Sequence, residues 1–121
     1  MSTGGVYAIN CSSCNLPYIG QSGKEISKRV TQHKYNVRVA NSSSAIFCHV
    51  RDFEHPIDWN SARIVFKSSS IHDRLLVEGC LISSFNNMNL SDGLFKMDDL
   101  LKSFILKDSK VKQAVRYFTN R

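Results

Sequence analysis

Two tyrosine-containing triplets near the start of the chain could bring two phenol groups together. Gly5-Val6-Tyr7 is followed, after ten residues, by Tyr18-Ile19-Gly20. On paired strands, both tyrosines can project to one side of the sheet, and the adjacent glycines let backbone or substrate approach closely. A free phenol has a pKa of about 10, so it needs nearby positive charge before it can deprotonate water. The alternative is a plain hairpin with two half-buried tyrosines.

Basic residues in the next segment could bind a phosphate group. Arg29 and His33 are four residues apart, so they share one face of a predicted helix. Arginine offers a forked set of donors to a phosphate, and histidine can orient water or donate to a leaving group. Lys24 and Lys28 flank these residues and could bind further phosphates. The alternative is a solvated polar face.

Glu78 lies in an unusually apolar stretch, Leu75-Leu76-Val77-Glu78-Gly79-Cys80-Leu81-Ile82. A helix this apolar is mostly buried, and a buried carboxylate is normally paired, protonated or bound to metal. Mg²⁺ prefers carboxylate oxygen and often uses few protein ligands on a phosphate substrate. The alternative is an ion pair with Arg74, one helical turn earlier.

Two cysteines and two histidines have spacings that suit a metal. Cys11 and Cys14 have the two-residue spacing of a zinc knuckle, and five residues separate His49 from His55. The loop between the two pairs is much longer than in a zinc finger. A bound Zn²⁺ would have a structural role, because it would link a hairpin tip to the region after the first helix. The alternatives are a redox or disulfide pair and unligated residues.

Periodicity indicates the elements that must position these side chains. Val6, Tyr7 and Ile9 favour a strand, whereas Ile26, Val30 and Val37 recur at helical spacing. Strands are predicted at 5–10, 17–20 and 62–66, and helices at 25–38, 45–52 and 70–86.

Ser22 could cap the first helix, and more amphipathic helix is predicted in 94–121, with a break at Asp108-Ser109. This order predicts a small α+β domain with a three-stranded, mainly antiparallel sheet flanked by helices. We expect a core over residues 1–93 that includes the Cys₂His₂ site. Residues 94–121 would form a C-terminal helical extension packed on that core.

Composition and net charge indicate the kind of partner and the cellular compartment to expect for this protein. Sixteen Lys+Arg against ten Asp+Glu give a net charge of +6, which suggests a polyanionic partner. No apolar stretch reaches the roughly 18 residues needed to span a bilayer, and the first residues lack the features of a signal peptide. We therefore expect an intracellular protein without a membrane partner. In that compartment, four cysteines favour metal binding or buried thiols over disulfides.

The ordered set of motifs resembles the GIY-YIG nuclease family. The two tyrosine triplets, Arg29, His33 and Glu78 match the family pattern in identity, order and approximate spacing, and Asn89 resembles its usual downstream asparagine. The resemblance covers about residues 4–93.

Within this family, the chain most resembles the endonuclease of Penelope-like retroelements. That subgroup has two cysteines between the tyrosine motifs and two later histidines. Here these are Cys11 and Cys14, then His49 and the His55-Pro56-Ile57-Asp58 stretch.

The resemblance implies hydrolysis of a DNA phosphodiester with one divalent metal. Glu78 would hold Mg²⁺ or Mn²⁺, and Arg29 would stabilise the pentavalent phosphate. Ten residues separate Tyr18 from Arg29, one more than in many family members, which fits the Penelope-like variant.

The remaining family residues receive supporting roles. Tyr7 would orient or deprotonate the attacking water, and Tyr18 and His33 would support the phosphate and water network. Asn89 would position the Glu78 helix or contact the DNA backbone.

In a retroelement, such an enzyme would nick double-stranded target DNA to prime reverse transcription. It would act in the nucleus as part of a larger reverse-transcriptase polyprotein. A zinc-stabilised DNA-binding module without catalysis is the alternative, but it leaves Glu78 and the paired tyrosines unexplained. A thiol oxidoreductase would need Cys11 and Cys14 at a helix N-terminus instead of a hairpin tip.

Overall fold

A three-stranded antiparallel sheet with helices on both faces forms the framework of the computed structural model, which describes residues 4–90 and 98–120. The fold is α+β, as predicted. The described elements are β1 (Gly5–Cys11), β2 (Pro17–Ser22), α1 (Ile26–Arg38), α2 (Ala45–Phe53), β3 (Ile57–Lys67), α3 (Ile71–Ser84), α4 (Asp99–Leu106) and α5 (Ser109–Thr119).

The first strand of the chain lies in the middle of the sheet. The strand order is β2-β1-β3, and both neighbours run antiparallel to β1. Tyr7 pairs with Gly20 and Ile9 pairs with Tyr18. Because side chains alternate along a strand, Tyr7 and Tyr18 lie on the same face, as the sequence predicted.

Alternation along β1 divides the core into two clusters. Val6 and Ala8 pack with α3 and α5 on one face, whereas Tyr7, Ile9 and Cys11 face α1 and α2 on the other. The sheet therefore separates an apolar layer from a layer that also contains the candidate chemical groups.

Two predictions about element ends were wrong. β3 begins at Ile57 instead of residue 62, because its early residues pair with Asn10 and Cys11 of β1 despite their low strand propensity. Ser22 does not cap α1. It belongs to β2, and its hydroxyl accepts from the Lys24 amide at 3.0 Å, while α1 begins after Glu25 without a side-chain cap.

The last described helix, α5, packs on the core of the domain. Asp108 caps α5, as its carboxylate accepts from the Lys110 amide at 2.9 Å, so the predicted break is confirmed. Val111, Ala114 and Phe118 of α5 are buried in the apolar cluster on one face of the sheet, where α5 packs mainly against β3. The predicted domain boundary after residue 93 falls in 91–97, outside the described residues. None of the described helices is long and apolar enough to cross a membrane.

Candidate active site and metal centre

The Tyr7 ring is fully buried beneath the sheet face that carries α1. Gly20 lies directly across the strand pair and leaves room for that ring. A Cβ atom at Gly20 would lie 2.6 Å from both Cζ and Oη of Tyr7. The glycine of the second triplet is therefore needed sterically, and this explains why the two triplets occur together.

Arg29 and His33 of α1 both contact the Tyr7 hydroxyl. His33 Nε2 lies 2.7 Å from Tyr7 Oη, and Arg29 Nε donates to the same oxygen at 3.3 Å. Arg29 Nη2 lies 3.5 Å from His33 Nε2. The phenol oxygen therefore accepts from Arg29 and shares a hydrogen bond with His33. The pair predicted to share a helical face thus meets the first tyrosine.

Burial sets the protonation of this cluster. Burial, together with the smaller effect of the neighbouring Arg29 charge, lowers the pKa of His33 to about 4. Burial also raises the pKa of Tyr7, with a smaller increase from Tyr18, while Arg29 works in the opposite direction. Both groups are therefore neutral near pH 7. The other imidazole nitrogen of His33, Nδ1, is buried and has no hydrogen-bond partner in the described part of the chain.

Tyr18 is the tyrosine that faces an opening. Its ring centre lies 6.1 Å from that of Tyr7 and 5.0 Å from that of His33. It lines a cavity of about 250 Å³ with Arg29, His33, Asn36, Ser43, Ser44, Ala45, Asn89 and Leu90. Arg29 and His33 thus connect the buried phenol to a cavity in which the second phenol is accessible.

Glu78 is a partly buried carboxyl group on α3. Burial raises its pKa to about 7, although a hydrogen bond from the Gln21 backbone opposes this rise. The alternative partner, Arg74, donates instead to Gln21 Oε1 at 3.0 Å and to the Ser68 carbonyl at 3.2 Å. Across residues 4–90 and 98–120, Glu78 makes no ion pair. Its charge raises the pKa of Tyr18, after the larger effect of burial, so the two groups interact electrostatically.

Asn89 binds the free edge of β2. Its Nδ2 donates to the Ile19 carbonyl at 2.7 Å, and its Oδ1 accepts from the Ile19 amide at 2.9 Å. The preceding Met88 amide donates to the Pro17 carbonyl at 2.9 Å. Asn89 therefore fixes the segment after α3 to the strand that carries Tyr18, and it also lines the cavity.

The predicted cysteines and histidines lie together at the far end of β1. The ligand atoms of Cys11, Cys14, His49 and His55 all lie within 4.8 Å of one another. Cys11 ends β1 and Cys14 lies in the hairpin tip, whereas His49 lies on α2 and His55 precedes β3. Residues far apart in sequence thus form a set that could hold one metal ion.

The donor chemistry of this set fits zinc. Cys14 Sγ and His49 Nε2 are 3.3 Å apart, close to the edge of about 3.5 Å expected for a tetrahedral Zn²⁺ site with sulfur and nitrogen ligands. His55 Nδ1 is buried without a partner among the described residues. The Phe53 ring covers both imidazoles, with ring centres 5.0 Å and 5.8 Å away. Cys11 and Cys14 are free thiols, as the zinc interpretation requires.

The other cysteine interpretations receive no support from the geometry. Desolvation raises the pKa of the Cys14 thiol, whereas a catalytic thiol needs a lowered pKa. Its place in a hairpin tip, away from any helix N-terminus, agrees with this direction. Cys48 and Cys80 are buried, as expected for small apolar side chains.

Several residues near the site were not predicted. Gln32 Oε1 accepts from Arg29 Nη1, so all three guanidinium nitrogens of Arg29 have contacts. The i,i+3 spacing from Arg29 was the available signal. Asn36 shares the helical face of Arg29, but Ser43 enters the cavity wall only through the folding of α2 onto α1. Lys24 and Lys28 lie on a different, exposed side of α1.

No family model, curated protein or solved structure matches this chain. The site must therefore be interpreted from its own geometry.

Proposed function

We propose that the protein is a metal-dependent DNA endonuclease of the GIY-YIG type that nicks double-stranded DNA. One observation carries the proposal: Tyr7, Tyr18, Arg29 and His33 form one connected cluster at a cavity, and Glu78, which has no ion-pair partner among the described residues, interacts electrostatically with both phenols. These are the residues whose types and order resembled the family. By the same resemblance, we place the domain in a reverse-transcriptase polyprotein.

The carboxyl group of Glu78 suits a hard divalent cation. It is partly desolvated and lacks a cationic partner among the described residues, so binding of Mg²⁺ or Mn²⁺ would relieve the cost of its charge. When bound, the metal would neutralise charge that develops on phosphate oxygens.

Arg29 would stabilise the phosphate during attack. It lines the cavity, and its guanidinium is held by Tyr7, Gln32 and His33. A pre-oriented cation at this position stabilises the extra negative charge of a pentavalent phosphorus. The buried Tyr7–His33 pair would therefore act mainly by fixing Arg29.

Tyr18 is better placed than Tyr7 to contact the attacking water. Tyr7 is fully buried and its hydroxyl is hydrogen-bonded to His33, whereas Tyr18 lines the cavity. In the proposed reaction, the water oxygen bonds to phosphorus, and the bond from phosphorus to one sugar oxygen breaks. Tyr18 would orient the water, whose proton would pass to solvent, and the departing sugar oxygen would take up a proton from solvent.

The Cys₂His₂ set would hold Zn²⁺ away from the reaction. Its members link the β1–β2 hairpin tip to α2 and to the start of β3. A closed set of four protein ligands is typical of a structural zinc site, because a catalytic zinc keeps one open position.

Plasmid cleavage tests the proposal. We expect the wild-type protein to nick supercoiled DNA when Mg²⁺ or Mn²⁺ is added, and Glu78→Gln to lose at least about 100-fold in rate. Asp73→Asn is the matched control, because Asp73 is an exposed carboxylate on the same helix. It should cut like the wild type.

Zinc content, measured on the same preparations, should be one equivalent in all three proteins. DNA binding without cleavage under either metal would instead support the zinc-stabilised binding module. Equal cleavage by Glu78→Gln would contradict the assigned role of Glu78.

A further inference from the structure

One side of α1 points away from the core and is lined by polar and basic residues. We call it the α1 outer face, and it consists of Lys24, Lys28, Thr31, Gln32, Tyr35 and Arg38. Lys24 lies just before the helix, and from Lys28 onward Thr31 or Gln32, Tyr35 and Arg38 follow at steps of three or four residues, so the set forms a stripe along the helix. The first five line a shallow depression.

Charge is concentrated around this stripe. Residues 24–38 contain five Lys or Arg and one acidic residue, a local charge of +4, whereas the whole chain carries +6. Most of the net charge therefore lies in 15 of 121 residues. A helix with this density of positive charge attracts a polyanion.

At the C-terminal end of the outer face, the Arg38 guanidinium is held against an aromatic ring. The Arg38 Cζ atom lies 5.3 Å from the centre of the Tyr35 ring, and Tyr35 is 52% exposed. Stacking on an aromatic ring restricts arginine and leaves its donors free for a phosphate. The uncharged members of the stripe, Thr31 and Gln32, are also side chains that commonly contact nucleic-acid backbones.

We infer that the α1 outer face binds the sugar–phosphate backbone of duplex DNA beside the cut, with Arg38 and Tyr35 as the contact farthest along the helix. This inference rests on the proposed function. From Lys28 to Arg38, within α1, the stripe spans about 15 Å at 1.5 Å per residue, which corresponds to about four base pairs. Arg29 lies on the same helix, so the stripe runs alongside the cavity.

Salt-dependent binding tests this surface. The affinity of the wild-type protein for a fluorescent duplex would be measured at several salt concentrations, without added Mg²⁺ or Mn²⁺. We expect Arg38→Gln to weaken binding about threefold to tenfold and to reduce the slope of log affinity against log salt by about one. Tyr35→Ala should also weaken binding, whereas Tyr35→Phe retains the ring and should bind normally.

Lys112→Gln is the matched control, because Lys112 is an exposed cation on α5, which packs on the opposite face of the sheet. Equal losses for Lys112→Gln and Arg38→Gln, or no loss for Arg38→Gln, would overturn the inference.

Cleavage assays on the same variants separate this inference from the proposed function. Metal-dependent cutting together with unchanged Arg38→Gln binding would refute the α1 surface alone. Binding that depends on Arg38 in a protein that never cuts would keep the surface and refute the nuclease.

Discussion

Gly20 lies where the second tyrosine strand passes closest to the buried Tyr7 ring. Because a Cβ atom there would lie 2.6 Å from Tyr7, we expect Gly20→Ala to destabilise the fold by about 1 to 3 kcal/mol. Urea unfolding measures this change. Gly23→Ala is the control, since its Cβ would meet only the flexible Arg74 side chain at 3.3 Å. Equal stability of Gly20→Ala and wild type would show that the ring moves aside freely.

The ionisation of Glu78 should appear in the pH dependence of stability. Its folded pKa of about 7 exceeds the ordinary 4.5, so the folded state holds the proton more tightly than the unfolded state. The resulting stability is full below pH 4.5 and is lost as pH rises through about 7. After allowance for its partial exposure, we expect Glu78→Gln to be about 2 kcal/mol more stable than wild type at pH 8 without divalent metal.

Unfolding in urea at pH 5 and pH 8 measures this effect. The advantage of Glu78→Gln should shrink at pH 5, and Mg²⁺ at pH 8 should stabilise the wild type more than the variant. Asp73→Asn should show neither change. A difference that is the same at both pH values would mean that Glu78 contributes through packing and not through its charge.

The zinc interpretation makes a prediction at the level of the hairpin and α2. Removing the metal should release the link between the β1–β2 tip and His49, and we expect a loss of at least about 3 kcal/mol in unfolding free energy. Thermal unfolding with and without a chelator measures it. Cys14→Ser should lose both the zinc and the response to chelator.

Cys48→Ser provides the comparison for that experiment, because Cys48 lies next to His49 but outside the cluster. It should retain one equivalent of zinc. Protein that contains no zinc and unfolds identically with chelator would exclude the structural metal.

Most elements could be predicted from local patterns, but β3 could not be placed fully. Periodicity identified the long helices because one face of each is apolar. Asp58 and Asn60 are poor strand residues, so the first half of β3 has no local signal. Pairing with Asn10 and Cys11 of β1 makes this segment a strand, and the paired residues are about 46 to 48 positions apart in the chain.

At the scale of the whole molecule, the sequence indicated which side chains could come together but not how they are arranged. The spacing of the tyrosines, Arg29 and His33 indicated that they could meet. The burial of Tyr7 and the exposure of Tyr18 depend on which strand is central and where α1 lies. The contact from Gln32 and the approach of Ser43 are likewise consequences of tertiary packing.

The central position of β1 also has a consequence for the order of folding. β1 is made first, yet its second partner begins about 46 residues after β1 ends, and such nonlocal pairing slows folding because a long loop must close. The two tyrosines, Arg29 and His33 are all complete by residue 33, whereas Glu78 follows β3. During synthesis, Glu78 therefore becomes available only after β3 has been made, so a truncated or half-made chain would carry Tyr7, Tyr18, Arg29 and His33 without this carboxylate.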